Sequence, residues 1–338
     1  MNKFISSSIA IDQRDIFYQP RRLRQSPEIR ALVRETRLAA QQLVLPLFVV
    51  SGREREEPIE ALPGHSRLSP DLAEQKAREL AKLGVGGIFL FGVPDVKDDL
   101  GEGAADPAGP VPETLRRLRE AELPLVLMAD VCLCQYTSHG HCGFIEGSRI
   151  DNQRTLPLIA GAAVAYANAG AQVVAPSGMM DGQVLAIRRA LDAEGHTDTA
   201  IMAYASKHAS SLYGPFREAA GSAPSFGDRR SYQMDPANGR EALRELELDA
   251  QEGADILMVK PGITSLDILA RARERFDLPL AAYQVSGELA MLEAAAARGW
   301  LDRKLVALEL LTALHRAGAQ ILITYLALEV AGWLEDGV

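Results

Sequence analysis

All three cysteines of the chain lie close together in the sequence. Cys132, Cys134 and Cys142 stand in the segment DVCLCQYTSHGHCG, directly after the apolar run LPLVLMADV. Thiolates are preferred zinc ligands, and three protein ligands leave the fourth tetrahedral position open for water or substrate, as in catalytic zinc sites. His139 or His141 could supply a fourth ligand and close the site, and three reduced, buried thiols without a metal are the plainest alternative. The segment therefore predicts a zinc site and leaves its openness undecided.

Two lysines follow apolar runs further along the chain. Lys207 comes after IMAYAS, and Lys260 comes after ILMV and precedes a proline and a glycine. A lysine at the end of a buried strand is partly desolvated, and a second ammonium nearby lowers its pKa further toward neutrality. The neutral amine then attacks ketones. A single lysine of this kind is as easily a snorkelling side chain or half of a salt bridge, but a pair at neighbouring strand ends favours covalent chemistry.

The elements that would position these residues are short apolar runs alternating with segments that carry apolar residues at helical spacing. Continuous apolar strands are typical of parallel sheets that are covered on both faces. Eight such β/α units after a leading segment predict an α/β fold, a (β/α)8 TIM barrel over residues 36–338 with an extended N-terminal arm over residues 1–35. An open doubly wound sheet is the alternative, but its glycine-rich phosphate fingerprint is missing after the first run. The runs are QLVLPLFVV, GVGGIFLFGV, LPLVLMADV, AQVVAPSG, TAIMAYAS, ADILMVKPG, LPLAAYQVS and AQILITYLA.

In a TIM barrel the active site lies at the carboxyl ends of the strands. Besides the cysteines and lysines, polar side chains end several of the predicted strands. These are Asp130, Ser177, Ser286 and Tyr325. We therefore expect all of these side chains to face one pocket.

The composition is that of a globular protein with a large core, since 47% of the 338 residues are hydrophobic and 24% are charged. The formal net charge of −9 argues against a nucleic-acid partner. No stretch resembles a transmembrane helix, and the first residues lack the apolar core and cleavage site of a secretory signal. We expect a cytoplasmic protein with no membrane partner, in which neighbouring cysteines bind metal or catalyse rather than form disulfides.

Several blocks together resemble the porphobilinogen synthase family, also called 5-aminolevulinate dehydratase, from about Arg21 to the C-terminus. The blocks are PRRLRQSPEIRALVRET, DVCLCQYTSHGHCG, SLYGPFREA, SYQMDPANGREALRE, LMVKPG, YQVSGE and ITYLA. The resemblance implies a hydro-lyase that condenses two molecules of 5-aminolevulinate asymmetrically into the pyrrole porphobilinogen, with loss of two waters, in tetrapyrrole and heme biosynthesis. It also implies the barrel fold.

The resemblance gives the reactive residues separate roles. Lys260 would form a Schiff base with the substrate that becomes the propionate side of the product, and Lys207 one with the substrate on the acetate side. Zinc held by the three cysteines would act on the second substrate. Asp130 is a candidate partner for the substrate amino group or for a water on the zinc. The alternative is that Asp130 merely orients the cysteine loop.

The resemblance also implies two sets of partners for the substrate carboxylates. The residues expected to bind substrate are Arg217, Arg229, Gln233, Ser286, Tyr325, Ser177 and Tyr213. The first three flank the polar segment EAAGSAPSFGD, residues 218–228, which we predict to be a lid over the barrel mouth and call the lid segment. Guanidinium groups bind carboxylates in bidentate fashion, so this set would respond to substrate charge. The hydroxyls of Ser286 and Tyr325 would hold the other carboxylate.

Two further features concern assembly and regulation. The stretch FYQPRRLRQSP is too polar and too interrupted by proline to form a core of its own. In the family this arm embraces a neighbouring subunit, which implies a homo-oligomer, most often an octamer. Glu245, which ends REALRE, matches the position at which many bacterial members bind an allosteric magnesium ion through water. A plain carboxylate on a helix surface is the alternative.

The sequence departs from the family pattern at a few positions, and other classes of protein share some of its features. Gly178 stands where an aspartate is usual, and Gln183 stands where an arginine is common. A class I aldolase would also use a lysine Schiff base in a barrel, but it needs neither three cysteines nor a second lysine. A non-catalytic zinc-binding regulatory barrel would use the cysteines and leave the lysines idle.

Overall fold

A closed parallel barrel of eight strands is the centre of the structure, a computed structural model that describes residues 19–336. Each barrel strand pairs in parallel with its neighbours, and the pairing of the last strand with the first closes the ring. The strands of the chain are β1 (Leu43–Val49), β2 (Glu56–Pro58), β3 (Ser66–Leu68), β4 (Gly87–Gly92), β5 (Val126–Val131), β6 (Ile145–Glu146), β7 (Arg149–Ile150), β8 (Val173–Pro176), β9 (Ala200–Lys207), β10 (Ile256–Lys260), β11 (Leu280–Tyr283) and β12 (Ile321–Ile323). All eight apolar runs form barrel strands, so the predicted TIM barrel is confirmed and the open doubly wound sheet is excluded.

Helices connect the barrel strands and cover their outer faces. These helices are α2 (Pro70–Lys82), α3 (Pro110–Glu120), α4 (Asn152–Asn168), α5 (Gln183–Ala193), α6 (Gly214–Ala219), α7 (Gly239–Gln251), α8 (Leu266–Arg275), α9 (Ser286–Ala297), α10 (Arg303–Ala317) and α11 (Ala327–Glu335). A further helix, α1 (Pro27–Leu32), belongs to the segment that precedes the first strand. Every residue of β1 and β4 is buried, which is why their sequences are continuous apolar runs instead of alternating ones. In residues 19–336 no helix combines the length and the apolar character needed to cross a membrane.

Aromatic side chains fill the barrel below its carboxyl-terminal mouth. The ring of Phe89 on β4 lies 6.2 Å from that of Tyr204 on β9 and 6.5 Å from that of Tyr283 on β11. Phe216 of α6 packs into the mouth, with its ring 5.3 Å from the ring of Phe91. The helix that leads into the lid segment is therefore anchored on the barrel core.

The described residues up to Arg37 belong to one unit, and a second unit begins at Leu38. Of the predicted arm, residues 1–18 lie outside the described residues. The rest is a 3₁₀ turn over Pro20–Arg24 followed by α1, whose N-cap Ser26 accepts a hydrogen bond from the Ile29 amide. Neither element has a buried residue, and Leu32 is 82% exposed. That this segment contacts another subunit stays a prediction.

Candidate active site

The two predicted lysines lie side by side at the barrel mouth. Lys207 is the last residue of β9 and Lys260 is the last residue of β10, and the two are direct partners in the parallel pairing of these strands. Both side chains are buried. The Nζ of Lys207 donates a hydrogen bond to the Ser177 carbonyl oxygen at 2.5 Å. The pairing register therefore brings two amines into one enclosed space.

The amine of Lys260 is surrounded by aromatic rings. Its Nζ lies 4.1 to 5.3 Å from four ring centroids, those of Tyr283, Phe216, Tyr204 and Tyr213. The ring faces attract an ammonium ion, but they do not replace its hydration shell. Burial, and after it the charge of Lys207, lower the pKa of Lys260 to about 7. A large share of the amine is therefore neutral and nucleophilic near neutral pH.

Asp130, on β5, is a buried carboxyl group with one free oxygen. Its Oδ2 accepts a hydrogen bond from the Gln135 side chain at 3.0 Å, whereas its Oδ1 has no partner in residues 19–336. Burial raises the pKa of Asp130, and the charges of Lys207 and Lys260 act in the opposite direction. A buried polar atom without a partner is costly, so Oδ1 is suited to a group that a bound molecule would bring.

The three cysteines form a compact cluster of buried thiols. Their sulfur atoms all lie within 4.8 Å of one another, and those of Cys132 and Cys134 are 3.4 Å apart. A tetrahedral zinc ion with bonds of about 2.3 Å to sulfur would place the sulfurs about 3.8 Å apart. Hydrogen bonds from Cys132 and Cys134 hold the pKa of the Cys142 thiol well below its usual range. Shared hydrogen bonds within the cluster and burial raise the pKa values of Cys132 and Cys134, so without a metal one thiolate is favoured. The spacing of the sulfur atoms is compatible with a zinc ion.

Neither candidate histidine belongs to this cluster. The Nδ1 of His141 pairs with the Tyr232 hydroxyl at 3.1 Å, and its Nε2 pairs with the Phe226 carbonyl oxygen at 2.9 Å. The Nε2 of His139 pairs with the Asp99 carbonyl oxygen, and its Nδ1 accepts from the His141 amide. Among the described residues the group of possible ligands consists of the three thiols alone. A metal ion held there would keep one open position, as catalytic zinc does.

The cationic residues around the lid segment offer unused donors. Arg229 is buried, and its Nη2 donates to the carbonyl oxygens of Gly140 and Ser222 at 2.9 and 2.5 Å. The Nε atoms of Arg229 and Arg217 and both amide atoms of Gln233 are buried without a partner in residues 19–336. Burial, and then the charge of Arg229, lower the pKa of Arg217, so the two guanidinium groups are near each other. These donors can receive a carboxylate.

The two hydroxyl groups predicted to hold the other carboxylate, those of Ser286 and Tyr325, also lie at the barrel mouth. Ser286 is the first residue of α9, and its Oγ accepts from the Phe216 amide at 3.0 Å and donates to the Leu212 carbonyl oxygen at 3.3 Å. The Tyr325 hydroxyl accepts from the Tyr283 hydroxyl at 3.3 Å. Of the other predicted residues, Tyr213 donates to the Lys260 carbonyl oxygen at 3.3 Å, and Ser177 contributes its own carbonyl oxygen to Lys207.

Glu245 lies in a separate cleft. It is half-buried on α7, and with Gln233 it lines a cavity of about 670 Å³. Burial, followed by the charges of Asp181 and Glu241, raises the pKa of Glu245. Crowded carboxylates of this kind suit a hydrated magnesium ion.

The two departures from the family pattern lie next to each other. The Gln183 side chain is buried, and its Oε1 accepts a hydrogen bond from the Met180 amide at 3.2 Å. A Cβ added at Gly178 would lie 3.4 Å from the same Oε1. The small residue at 178 therefore makes room for the amide at 183.

Two residues that hydrogen-bond to the lid segment could not be identified from the sequence. Arg67 of β3 donates to the carbonyl oxygens of Glu218 and Ala219 at 2.8 and 2.7 Å, and Lys97 donates to that of Gly221 at 2.5 Å. Arg67 lies in the short strand β3 and Lys97 lies in a loop, and nothing in the sequence around either residue distinguishes it from a solvated cation. Their role depends on contacts with residues more than a hundred positions away.

Comparison with known proteins agrees with this geometry. The family model for Delta-aminolevulinic acid dehydratase matches residues 17–333. The chain is 53% identical to the Delta-aminolevulinic acid dehydratase of Methanothermobacter thermautotrophicus, over 92% of this chain and 96% of the relative. It is 50% identical to that of Synechococcus elongatus, over 94% and 98%. The crystal structure of delta-aminolevulinic acid dehydratase (porphobilinogen synthase) from Toxoplasma gondii in complex with the reaction product porphobilinogen has a TM-score of 0.92 and 46% identity, and the match covers 94% of this chain and 92% of that one.

The contacts of Arg229 lead to a first prediction. Arg229→Ala removes the hydrogen bonds to Gly140 and Ser222, so we expect the lid segment to open about ten-fold more often, given the usual strength of hydrogen bonds from charged groups. Chymotrypsin should then cleave after Phe226 correspondingly faster, as measured by peptide mass. Arg230→Ala is the matched control, because Arg230 is exposed and its ion pair with Asp228 spans 3.8 Å. Equal cleavage of both variants would contradict the anchoring role of Arg229.

Proposed function

Because this chain belongs to the delta-aminolevulinic acid dehydratase family, we propose that Lys207 and Lys260 both act as Schiff-base residues in the reaction of that family. The protein is a hydro-lyase that condenses two molecules of 5-aminolevulinate into porphobilinogen, with loss of two waters, in tetrapyrrole and heme biosynthesis. The observation that supports the proposal is the pair of buried lysines in register on β9 and β10, with the pKa of Lys260 lowered to about 7.

The two waters leave when the two Schiff bases form. The neutral amine of Lys260 attacks the ketone carbon, C4, of the first substrate, and the ketone oxygen departs as water. Lys207 does the same with the second substrate. Each carbon–nitrogen double bond is an electron sink once it is protonated. A proton can then leave C3 of the second substrate, which becomes a nucleophilic enamine.

Ring formation returns both lysines to their starting state. C3 of the second substrate bonds to C4 of the first, and the electron pair of the iminium moves onto the Lys260 nitrogen. The amino group of the first substrate attacks C4 of the second, and Lys207 leaves as an amine. Departure of Lys260 and loss of protons from C3 of the second substrate and C5 of the first give the aromatic pyrrole. The free Oδ1 of Asp130 is the proposed proton acceptor for a substrate amino group.

We assign the two substrate carboxylates to the two sets of donors at the mouth. The unpaired Nε atoms of Arg217 and Arg229 and the unpaired Nε2 of Gln233 support one carboxylate site, since a bound anion would accept hydrogen bonds from these donors. Ser286 and Tyr325 are proposed for the other. A carboxylate there would compete with the Leu212 carbonyl oxygen for the Ser286 proton. Ser177 and Tyr213 are proposed to bind substrate beside the two lysines, since the Ser177 carbonyl oxygen accepts a hydrogen bond from the Lys207 side chain and the Tyr213 hydroxyl donates one to the Lys260 carbonyl oxygen.

We propose zinc as the metal of the cysteine cluster. Three buried thiols at tetrahedral spacing, without a histidine, support a site with an open position. When bound, zinc supplies Lewis-acid chemistry to a substrate group next to Asp130. Thiols that must stay reduced to bind metal also favour a cytoplasmic location.

Assembly and regulation complete the proposal. The arm of residues 1–35 would contact a neighbouring copy in a homo-oligomer, an octamer in our assignment. Support comes from the exposed apolar side chains of Leu23 and Leu32, which are 54% and 82% exposed. An allosteric magnesium ion would bind at Glu245, where Asp181 and Glu241 add negative charge.

Reductive trapping tests the covalent mechanism. With 5-aminolevulinate and borohydride, we expect a secondary amine at Lys260 and also at Lys207, located by peptide mass. Exposed Lys82 serves as the internal control and should stay unmodified. Lys207→Met should still be trapped at Lys260, with product formation reduced by at least the roughly 10²- to 10⁴-fold that general acid or base groups contribute. Porphobilinogen formed by a chain in which neither lysine is ever labelled would refute the mechanism.

Removal of a thiol tests the metal. Cys134→Ala should lose most of its zinc by metal analysis and most of its turnover, while the circular dichroism of the barrel persists. In the parent, chelation or acid should lower activity and zinc should restore it, because the ligands must be deprotonated. Ser138→Ala changes an exposed residue of the same loop and should keep its zinc. A zinc-free Cys134→Ala with full activity would rule out a catalytic metal.

Truncation tests the arm. Deletion of residues 1–30 should leave the barrel folded by circular dichroism, since the strands belong to the unit that begins at Leu38. The particle should become smaller in analytical ultracentrifugation and lose activity. An unchanged sedimentation coefficient would show that the arm does not hold the oligomer together.

Substitution of Glu245 tests the magnesium site. Glu245→Ala should abolish the stimulation by magnesium, measured as the ratio of rates with and without the ion, because it removes the carboxylate proposed to hold the hydrated ion in the cleft. Glu247→Ala, on the same helix but paired with Arg275, should keep that ratio. Stimulation that survives in Glu245→Ala would place the ion elsewhere.

A further inference from the structure

Glu288 is a buried carboxylate that has no part in the chemistry described above. It is the third residue of α9, two positions after Ser286, and only 3% of it is exposed. Its Oε1 accepts a hydrogen bond from the Ile263 amide at 2.9 Å, and its Oε2 accepts one from the Val285 amide at 2.7 Å. One carboxylate therefore ties the loop that follows Lys260 to the loop that carries Ser286.

Helix capping alone does not explain these contacts. The bond to Val285 is the usual one between a residue at the third helical position and its N-cap. The bond to Ile263 instead crosses to another loop, 25 residues earlier in the chain. Burial raises the pKa of Glu288 to about 7, so the charged form is costly at this position. A cap of the helix alone would not need a second oxygen directed at a neighbouring loop.

The surroundings of Glu288 leave little room for adjustment. The Gly262 amide donates to the Tyr283 carbonyl oxygen at 2.8 Å, which fastens the same two loops a second time. A Cβ added at Gly287 would lie 2.5 Å from the Leu212 carbonyl oxygen, so the start of α9 is packed against the segment before α6. Lys260 itself is held by strand pairing with β9. The position of Ser286 relative to Lys260 thus depends on how the two loops are joined.

We propose that Glu288 is a positioning residue that sets the distance between the Ser286 hydroxyl and the Lys260 amine. It would thereby select ketones that carry a carboxylate at the matching separation. This inference rests on the proposed function, which makes Lys260 the Schiff-base residue and Ser286 a carboxylate partner. It assigns to Glu288 no contact with substrate.

Two ketones, one with a carboxylate and one without, distinguish this positioning role of Glu288 from other roles. 4-Oxopentanoate has the ketone and the carboxylate of the substrate without its amino group, whereas 2-pentanone lacks the carboxylate. For each ketone, the concentration that half-saturates borohydride trapping at Lys260 is measured by peptide mass in the full-length protein. Glu288→Gln keeps the volume of the side chain but turns one acceptor oxygen into an NH₂ group facing a backbone amide. We expect the half-saturating concentration to rise about ten-fold or more for 4-oxopentanoate and to stay unchanged for 2-pentanone.

Further variants test whether the reach of the Glu288 side chain or its charge matters. Glu288→Asp keeps the charge but shortens the side chain by one methylene. The half-saturating concentration of 4-oxopentanoate should therefore rise as in Glu288→Gln, while that of 2-pentanone stays unchanged. Glu293→Gln changes a glutamate of the same helix whose ion pair with Arg303 lies away from Ser286, and it should discriminate as the parent does. Ser286→Ala should also lose the discrimination, and adding Glu288→Gln to it should change little, because both would act through one contact.

The outcomes are distinct. An equal loss for both ketones would mean that Glu288 acts on the Lys260 amine through its charge, and it would overturn the proposal. The proposal would also be overturned if the half-saturating concentration of 4-oxopentanoate did not rise relative to that of 2-pentanone in Glu288→Gln. The same holds if Glu288→Asp gave the values of the parent protein. Failure of the proposed function is read separately, on the parent protein, as the absence of a Lys260 adduct with 5-aminolevulinate.

Discussion

The parallel register between β9 and β10 is the constraint on which the site depends. It makes Lys207 and Lys260 direct neighbours at the ends of two buried strands, where neither amine is well hydrated. Two ammonium ions in such a place repel each other, and the lowest-energy arrangement leaves one of them neutral. The pairing of these two barrel strands therefore prepares a nucleophile. The aromatic rings around Lys260 keep its surroundings dry, and the lowered pKa depends on that dryness.

A second set of contacts joins the cysteine loop to the lid segment. The Ser225 amide donates to the His139 carbonyl oxygen at 3.0 Å, and Arg229 donates to that of Gly140. His141 reaches the Phe226 carbonyl oxygen from the same loop. The histidines that stand among the cysteines in sequence thus contact the lid segment and one another, not the thiols. A metal ion held by the three thiols would lie beside this anchored segment and would keep one position open.

The sequence was sufficient for the barrel and for the reactive groups, because both depend on local patterns. Apolar runs of strand length identify the strands, and polar residues at the carboxyl ends of these runs are expected at the barrel mouth, which is why Lys207, Lys260 and Asp130 were candidates. Partners across the fold could not be predicted. Nothing near Glu288 in sequence indicates that its carboxylate reaches Ile263, and Arg67 shows no sign of its bonds to the end of α6. The sequence also left open whether His139 or His141 binds metal, since ligand spacing alone fits either answer.

The central claim is that burial and the neighbouring Lys207 lower the pKa of Lys260 so that a large share of its amine is neutral near pH 7. The direct measurement is the titration of that single amine. Competitive labelling with a trace acylating reagent across a pH series, read by peptide mass with Lys82 as the reference lysine, reports the pKa of Lys260. It should lie near 7 in the parent and rise in Lys207→Met, because the second-largest cause of the lowering is removed. A midpoint near the ordinary value of 10.5 in the parent, or one that does not move in Lys207→Met, would contradict the account.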